Sequence, residues 1–172
     1  MPHDWQHTSE RFGPLVWKTL FRILRTHAES ADCYQDVMLE AFERSQHTTI
    51  ENWGGFLRWI AVRRGIDRLR QRKRQNDRID SRTDIELVAT DAGENDAPLG
   101  IQELKDRLRH ELAAVSKDQA TAFWLRCVEE LSYAEIAQQM SLNENAVGVL
   151  IHRARAHIRD ALHDLCPTEP GA

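Results

Sequence analysis

The chain has 172 residues, 41% hydrophobic and 29% charged, with a formal net charge of -4; that balance belongs to a soluble globular protein of one domain or two small ones and argues against intrinsic disorder. No apolar run approaches the roughly 20 residues that a membrane-spanning helix needs, and the opening Met1-Pro2-His3-Asp4-Trp5-Gln6-His7 lacks the basic-then-apolar layout of a secretory signal, so no membrane insertion and a cytoplasmic location are expected. Cys33, Cys127 and Cys166 are odd in number and far apart, which fits free buried thiols in a reducing compartment better than a disulfide or a zinc site.

Pro2, Pro14, Pro98, Pro167 and Pro170 are the only prolines, so residues 15 to 97 are free to be helical. A first helix is expected after Pro14, with Leu15, Val16, Leu20, Ile23 and Leu24 as its apolar stripe. His3 and His7 share a helical face but have no third ligand, and no metal site is expected. A second helix, about Ser30 to Arg44, sends Tyr34, Val37, Met38, Ala41 and Phe42 to the core. Its other face carries Asp32, Asp36, Glu40 and Glu43 with Leu39 among them, and no Lys or Arg lies between His27 and Glu43. Such a row is either a solvated face or a docking surface for a basic partner; unpaired like charges at i, i+4 weaken a helix, and the apolar Leu39 suits docking.

After the polar stretch Ser45 to Asn52, a third helix is expected from about Trp53 to Arg74. Phe56, Leu57, Ile60 and Ala61 form one apolar stripe and Trp59, Val62, Ile66 and Leu69 a second. Its later half is a basic rod of Arg63, Arg64, Arg68, Arg70, Arg72, Lys73 and Arg74, within a segment, Arg58 to Arg82, that holds ten of the 23 Lys and Arg against three Asp. Guanidinium groups beside Trp53 and Trp59 suit phosphates and stacked bases, although a basic helix can also be solvated or bind anionic lipid. Asp67 is expected to hold neighbouring Arg side chains. Thr83 to Ala97 has five acids and no Lys or Arg and reads as a flexible acidic linker. The fold class expected is therefore all-α, with two small helical modules, 1–82 and 101–172, joined by a linker over 83–100, neither module needing the other's core.

The second module opens with Ile101, Leu104, Leu108, Leu112 and Val115 on one face. Ser116 and Gln119 form a capping box before the stripe Ala120, Phe123, Trp124, Cys127, Val128 and Leu131. Ser132 and Glu135 form another, and Asn143 can cap a further helix after only a brief break at Ser141-Leu142. Two helices so closely joined cross steeply, with Ile136, Met140, Leu142, Val147 and Leu150 inward and small Ala137 at the crossing. That is the pattern of a helix-turn-helix, whose second helix offers its N-terminal residues to a major groove; the alternative is a plain helical hairpin. Ser141 stands where such turns usually carry Gly. The final helix turns Ile151, Ala154, Ile158, Ala161, Leu162 and Leu165 inward and Arg153, Arg155 and Arg159 outward.

Together these segments resemble a bacterial RNA polymerase sigma factor of the extracytoplasmic-function type within the sigma-70 family. Asp32-Cys33-Tyr34-Gln35-Asp36-Val37-Met38-Leu39-Glu40-Ala41-Phe42 is similar to the second-region helix, and Phe56 to Arg70 to the promoter-melting, minus-ten-reading helix. Leu131-Ser132-Tyr133-Ala134-Glu135-Ile136-Ala137 and His152-Arg153-Ala154-Arg155 are similar to the fourth region, which reads the minus-thirty-five element. The resemblance implies a non-enzymatic initiation factor without a cofactor, whose partners are core RNA polymerase, promoter DNA and an anti-sigma factor. It implies polymerase docking through Asp32, Asp36, Leu39, Glu40 and Glu43. Minus-ten contacts fall to His47, Thr48, Asn52, Trp53, Trp59, Arg63, Arg64 and Arg68, with a flipped base received by the loop 45–52. Minus-thirty-five contacts fall to Ser132, Asn143, Glu144, Asn145, Ala146, His152, Arg153 and Arg155; where the family often has Lys or Arg and Ser, this chain has Gly148 and Val149. The rival reading is a stand-alone helix-turn-helix regulator, which leaves the acidic face and the basic rod without a use. An enzyme acting on nucleic acid lacks a metal or nucleophile set.

Overall fold

A computed structural model describes residues 4–79 and 98–165; within them the chain forms seven α-helices and no strand. Helix α1 (Trp5–Leu24) begins well before Pro14, which lies inside it. Asp4 accepts from the His7 N–H at 3.1 Å and so starts the helix. An interior proline costs about 3 kcal/mol, yet stopping at Pro14 would strand Trp5 and Phe12, which pack on the core. Trp5 lies edge-on to Phe42 and Trp53, at 5.4 and 6.0 Å between ring centroids. At its other end α1 closes with Arg25 in the left-handed region (φ 61), whose N–H bonds the Phe21 carbonyl. The Arg22 and Leu24 carbonyls accept from the guanidinium groups of Arg109 and Arg72, so arginines of two other helices cap this terminus.

Helix α2 (His27–Ser45) buries Ser30, Cys33, Val37 and Ala41, while Phe42, expected in the core, is 39% exposed. Helix α3 (Trp53–Ile79) buries Phe56, Leu57, Ile60 and Ala61 of one stripe and Val62, Ile66 and Leu69 of the other, with Trp59 half-buried. The reason is its central position: it packs on α1 and α2 and also on α4 (Leu99–Ala114), α5 (Lys117–Cys127) and α6 (Tyr133–Met140). α1 and α3 approach so closely at Gly65 that a Cβ there would lie 2.9 Å from Ile23 Cδ1. The two expected modules therefore pack against each other along α3. One contiguous set of buried side chains runs from Val16 to Leu162.

Polar contacts cross the same seam. Lys117 Nζ meets Asp67 Oδ2 at 2.6 Å, so Asp67 is held by a lysine of α5 rather than by its neighbouring arginines. Arg58 lies 3.6 Å from Glu129, and Arg70 donates to the Val115 carbonyl. In α4 the expected stripe begins late: Leu99 and Ile101 are exposed, whereas Leu104, Leu108 and Leu112 pack inward and Val115 is buried in extended backbone just beyond the helix. Ser116 caps α5 by accepting from the Gln119 N–H. α7 (Glu144–Leu162) buries Val147, Ile151, Ala154, Ile158 and Leu162 as expected. Cys33 is buried, but Cys127, at the end of α5, is exposed, against expectation. Cys166, His3 and the acidic stretch Thr83 to Ala97 lie outside the described residues. Among the described residues no helix is long and apolar enough to cross a membrane.

Candidate functional site

Three surfaces carry the residues singled out from sequence. On α2, Asp32, Asp36, Leu39 and Glu43 are exposed, Leu39 to 59%. Glu40 is not part of that face. Its side chain is 13% exposed, with Oε1 shared by Arg44 (3.1 Å) and Arg63, and Oε2 held by Arg64 at 2.7 Å. Burial pushes the Glu40 carboxyl up, but the hydrogen bond from Arg64 and the charges of Arg63, Arg64 and Arg44 outweigh it and hold the group below its ordinary range. A carboxyl with a depressed folded-state pKa stabilises above its unfolded value and loses that contribution as pH falls through the folded one. The Glu40 clasp between α2 and α3 is therefore intact at neutral pH and released only in acid. Asp32 sits 3.9 Å from Arg68 and is 70% exposed, a contact of little weight.

The second surface surrounds the loop between α2 and α3. Asn52 Oδ1 accepts from the Gly55 N–H at 2.9 Å and starts α3. The loop roofs a recess of about 430 Å³ whose walls include Thr48, Asn52, Phe56 and Trp59. Across the opening stand Gln138, Gln139 and Ser141 of the α6 end. The Trp59 ring has the guanidinium carbons of Arg63 and Arg44 at 4.6 and 5.2 Å from its centroid, which makes a planar floor with cations over it. Thr48, Asn52, Trp59 and Arg63 are thus brought together. His47 is exposed on the loop. Trp53 turns to Trp5 and Phe56 instead of lining this recess. The basic rod divides: Arg63 and Arg64 clasp Glu40, Arg68 leans to Asp32, and Arg72 joins Glu29 and the end of α1.

The third surface is the pair α6 and α7. Ser132 Oγ accepts from the Glu135 N–H at 3.1 Å while Glu135 accepts from the Ser132 N–H at 2.8 Å, so both halves of the capping box form. The backbone hydrogen bond from Ser132 holds the Glu135 carboxyl below its usual range. α6 ends at Ser141 in the left-handed region (φ 56, ψ 42), the turn that favours glycine, and Asn143 Oδ1 then accepts from the Ala146 N–H at 2.8 Å to open α7. Ile136, Ala137 and Val147 are buried and Met140 and Leu150 partly so, but Leu142, in the turn itself, is 39% exposed, correcting its inward assignment. Asn143, Glu144, Asn145, His152, Arg153 and Arg155 are all exposed, while Ala146 is half-buried. Val149, absent from the expected set, stands on the same outward face, 48% exposed, opposite Val147, Ile151 and Ala154. Beside it Gly148 costs α7 about 1 kcal/mol relative to alanine, and a Cβ there would meet nothing within 4 Å. The fold does not require that glycine.

Comparison with known proteins adds family relationships to this geometry. Residues 9–75 match the family Sigma-70 region 2, and residues 105–158 match Sigma-70, region 4; the two matches take in most of the chain. Among solved structures, the chain is similar to the sigma factor RpoE of Bartonella quintana, determined in complex with the anti-sigma factor NepR, with 21% identity and a TM-score of 0.61 over 93% of this chain and 97% of that one. It is also similar to the extracytoplasmic function sigma factor SigJ of Mycobacterium tuberculosis, with 22% identity and a TM-score of 0.52 over 90% of this chain and 53% of that one, about half of SigJ's length. At such identities the likeness is one of fold. No curated protein sequence matches the chain.

Proposed function

The chain belongs to the sigma-70 family, carrying its regions 2 and 4 on one polypeptide, and on that premise we propose how its surfaces divide the work of transcription initiation. A sigma factor binds core RNA polymerase, directs it to promoters and assists strand melting; RNA synthesis itself belongs to the polymerase. Here Asp32, Asp36, Leu39 and Glu43 form the polymerase-docking face, with Glu40 setting the position of α2 on α3 instead of touching the partner. The Trp59 recess takes a base flipped from the minus-ten strand, since a planar ring with guanidinium groups at its rim offsets the few kcal/mol of unstacking. The outward face of α7 reads the minus-thirty-five element, with Asn143, Glu144, Asn145 and His152 toward bases and Arg153 and Arg155 toward phosphates. Residues 1–82, 83–100 and 101–172 are assigned as first module, linker and second module. The cytoplasm is the compartment that fits, and an anti-sigma factor, the partner present in the RpoE structure, is assigned as a third partner.

The two modules have to part for this work. Elements named for positions ten and thirty-five lie about 25 base pairs apart, or roughly 85 Å at 3.4 Å per pair, whereas Asp67 and Lys117 touch across the seam. The chain labelled once in each module should therefore lose energy transfer on joining polymerase and promoter; unchanged transfer would mean that only one element is engaged at a time.

The observation that carries the reading is that one chain pairs the arginine-rimmed Trp59 recess with a fully capped helix-turn-helix, and a stand-alone regulator has no use for the first. Run-off transcription with purified core polymerase tests it: promoter-dependent transcript should appear only with this chain present, and its absence would favour the regulator. A second expected result concerns the basic rod. Replacing Arg63, Arg64 and Arg68 with Gln should weaken binding to forked promoter DNA and lower the slope of log affinity against log salt by about 0.7 to 0.9 for each phosphate no longer neutralised. An unaltered slope would leave Arg63 and Arg64 with the Glu40 clasp alone and Arg68 with Asp32.

A further inference from the structure

Gly148 and Val149 stand in the middle of the outward stripe of α7, and neither is explained by the fold. At 3.6 residues per turn, Val149 lies one turn on from Asn145, and His152 follows on the same face. Arg153 and Arg155 flank that stripe on its two sides, both exposed. Gly148 has open space where a side chain would be. A helix lying in a major groove with this stripe forward would bring bare backbone at Gly148 and a branched methyl pair at Val149 against base edges. Thymine alone offers a methyl group there, at C5, whereas adenine, guanine and cytosine present mainly donors and acceptors that a valine would leave unpaired.

We propose that Gly148 and Val149 form an apolar reading surface that selects a thymine in the minus-thirty-five duplex through its 5-methyl group. The proposal rests on the reading of α7 as the major-groove helix. Gly148 lets the helix approach closely, and Val149 covers the methyl; Asn145 and His152 contact the neighbouring pairs. An alanine at Gly148 would stiffen α7 and hold it off the bases, so helix stability and DNA affinity move in opposite directions at this position.

The test uses the full chain with core polymerase. A minus-thirty-five element is selected from a randomised library, and each thymine is then replaced by deoxyuridine, which removes only the methyl. One thymine is expected to lose affinity about fourfold, the equivalent of the roughly 0.8 kcal/mol of one buried methyl-sized group. Val149→Ala should weaken binding to the thymine site and abolish the difference between thymine and deoxyuridine there. Gly148→Ala should raise the melting temperature and lower promoter affinity. A selected element with no fixed thymine, or a Val149→Ala chain that keeps the full methyl dependence, overturns the proposal while leaving α7 a groove reader. Asn145→Ala separates the deeper failure: it should cost roughly 5- to 150-fold in specific binding. If neither it nor any base change in the element alters affinity, the major-groove reading and this proposal fall together.

Discussion

Charge reversal at Asp36 and Glu43 combined with Leu39→Arg is expected to abolish co-purification with core RNA polymerase and to leave the melting temperature within about 5 °C, since three exposed substitutions are worth no more than about 0.5 kcal/mol each. All three side chains are exposed on α2, and neither acid forms an ion pair among the described residues. On the proposed docking role, Leu39 would supply the apolar anchor, and the acids attraction to a basic surface and repulsion of an acidic one. Glu40 is left out by design. Reversing it would place a fourth cation among Arg44, Arg63 and Arg64 and loosen α2 from α3, so that lost binding could not be told from lost structure. Pull-down beside a thermal melt checks the result. Retained polymerase binding with native melting means that α2 is not the docking helix.

Glu40 also marks where reading the sequence stops. Periodicity places it on the acidic face of α2, but its true neighbours, Arg63 and Arg64, are more than twenty residues away and reach it only once α3 has packed. Asp67 is the same case, pairing with Lys117 fifty residues on. The helix-turn-helix was legible because its determinants are local: Ser132 with Glu135 and Asn143 with Ala146 each close within three residues. Local rules misled where burial outweighed them. Pro14 reads as a helix boundary, yet the packing of Trp5 and Phe12 carries α1 through it. Ser141 adopts the left-handed turn without the glycine that would relax it, because the helices on either side of it bury Ile136, Ala137 and Val147 only with the chain turned there. The linker composition divides the chain into two modules, but composition says nothing of how α3 packs on α4, α5 and α6.

That shared core sets the scale of the last expected result. Val147 is fully buried on the inward face of α7, in the same core as Ile136, Ala137 and Ile151. On α7 itself Glu144, Arg153, Arg155, Arg159 and Asp160 are all exposed, so an aspartate at 147 would be desolvated on the opposite face with no cation of its own helix to pair it. Val147→Asp is expected to cost about 4 kcal/mol or more, against the 5 to 15 kcal/mol that holds a typical domain. The damage should not stay in the helix-turn-helix. α6 packs on α3 as well as on α7, so loosening α7 withdraws cover from the second stripe of α3, and the first module should melt earlier too. Asn145→Ala, two residues away on the exposed face, should leave the melt unchanged while weakening promoter binding. Paired thermal melts followed through the tryptophans decide it: Trp5, Trp17, Trp53 and Trp59 belong to the first module and Trp124 to the second. If single-Trp variants show the first-module signal melting at its original temperature in Val147→Asp, the cores are separable after all and the seam along α3 contributes little to stability.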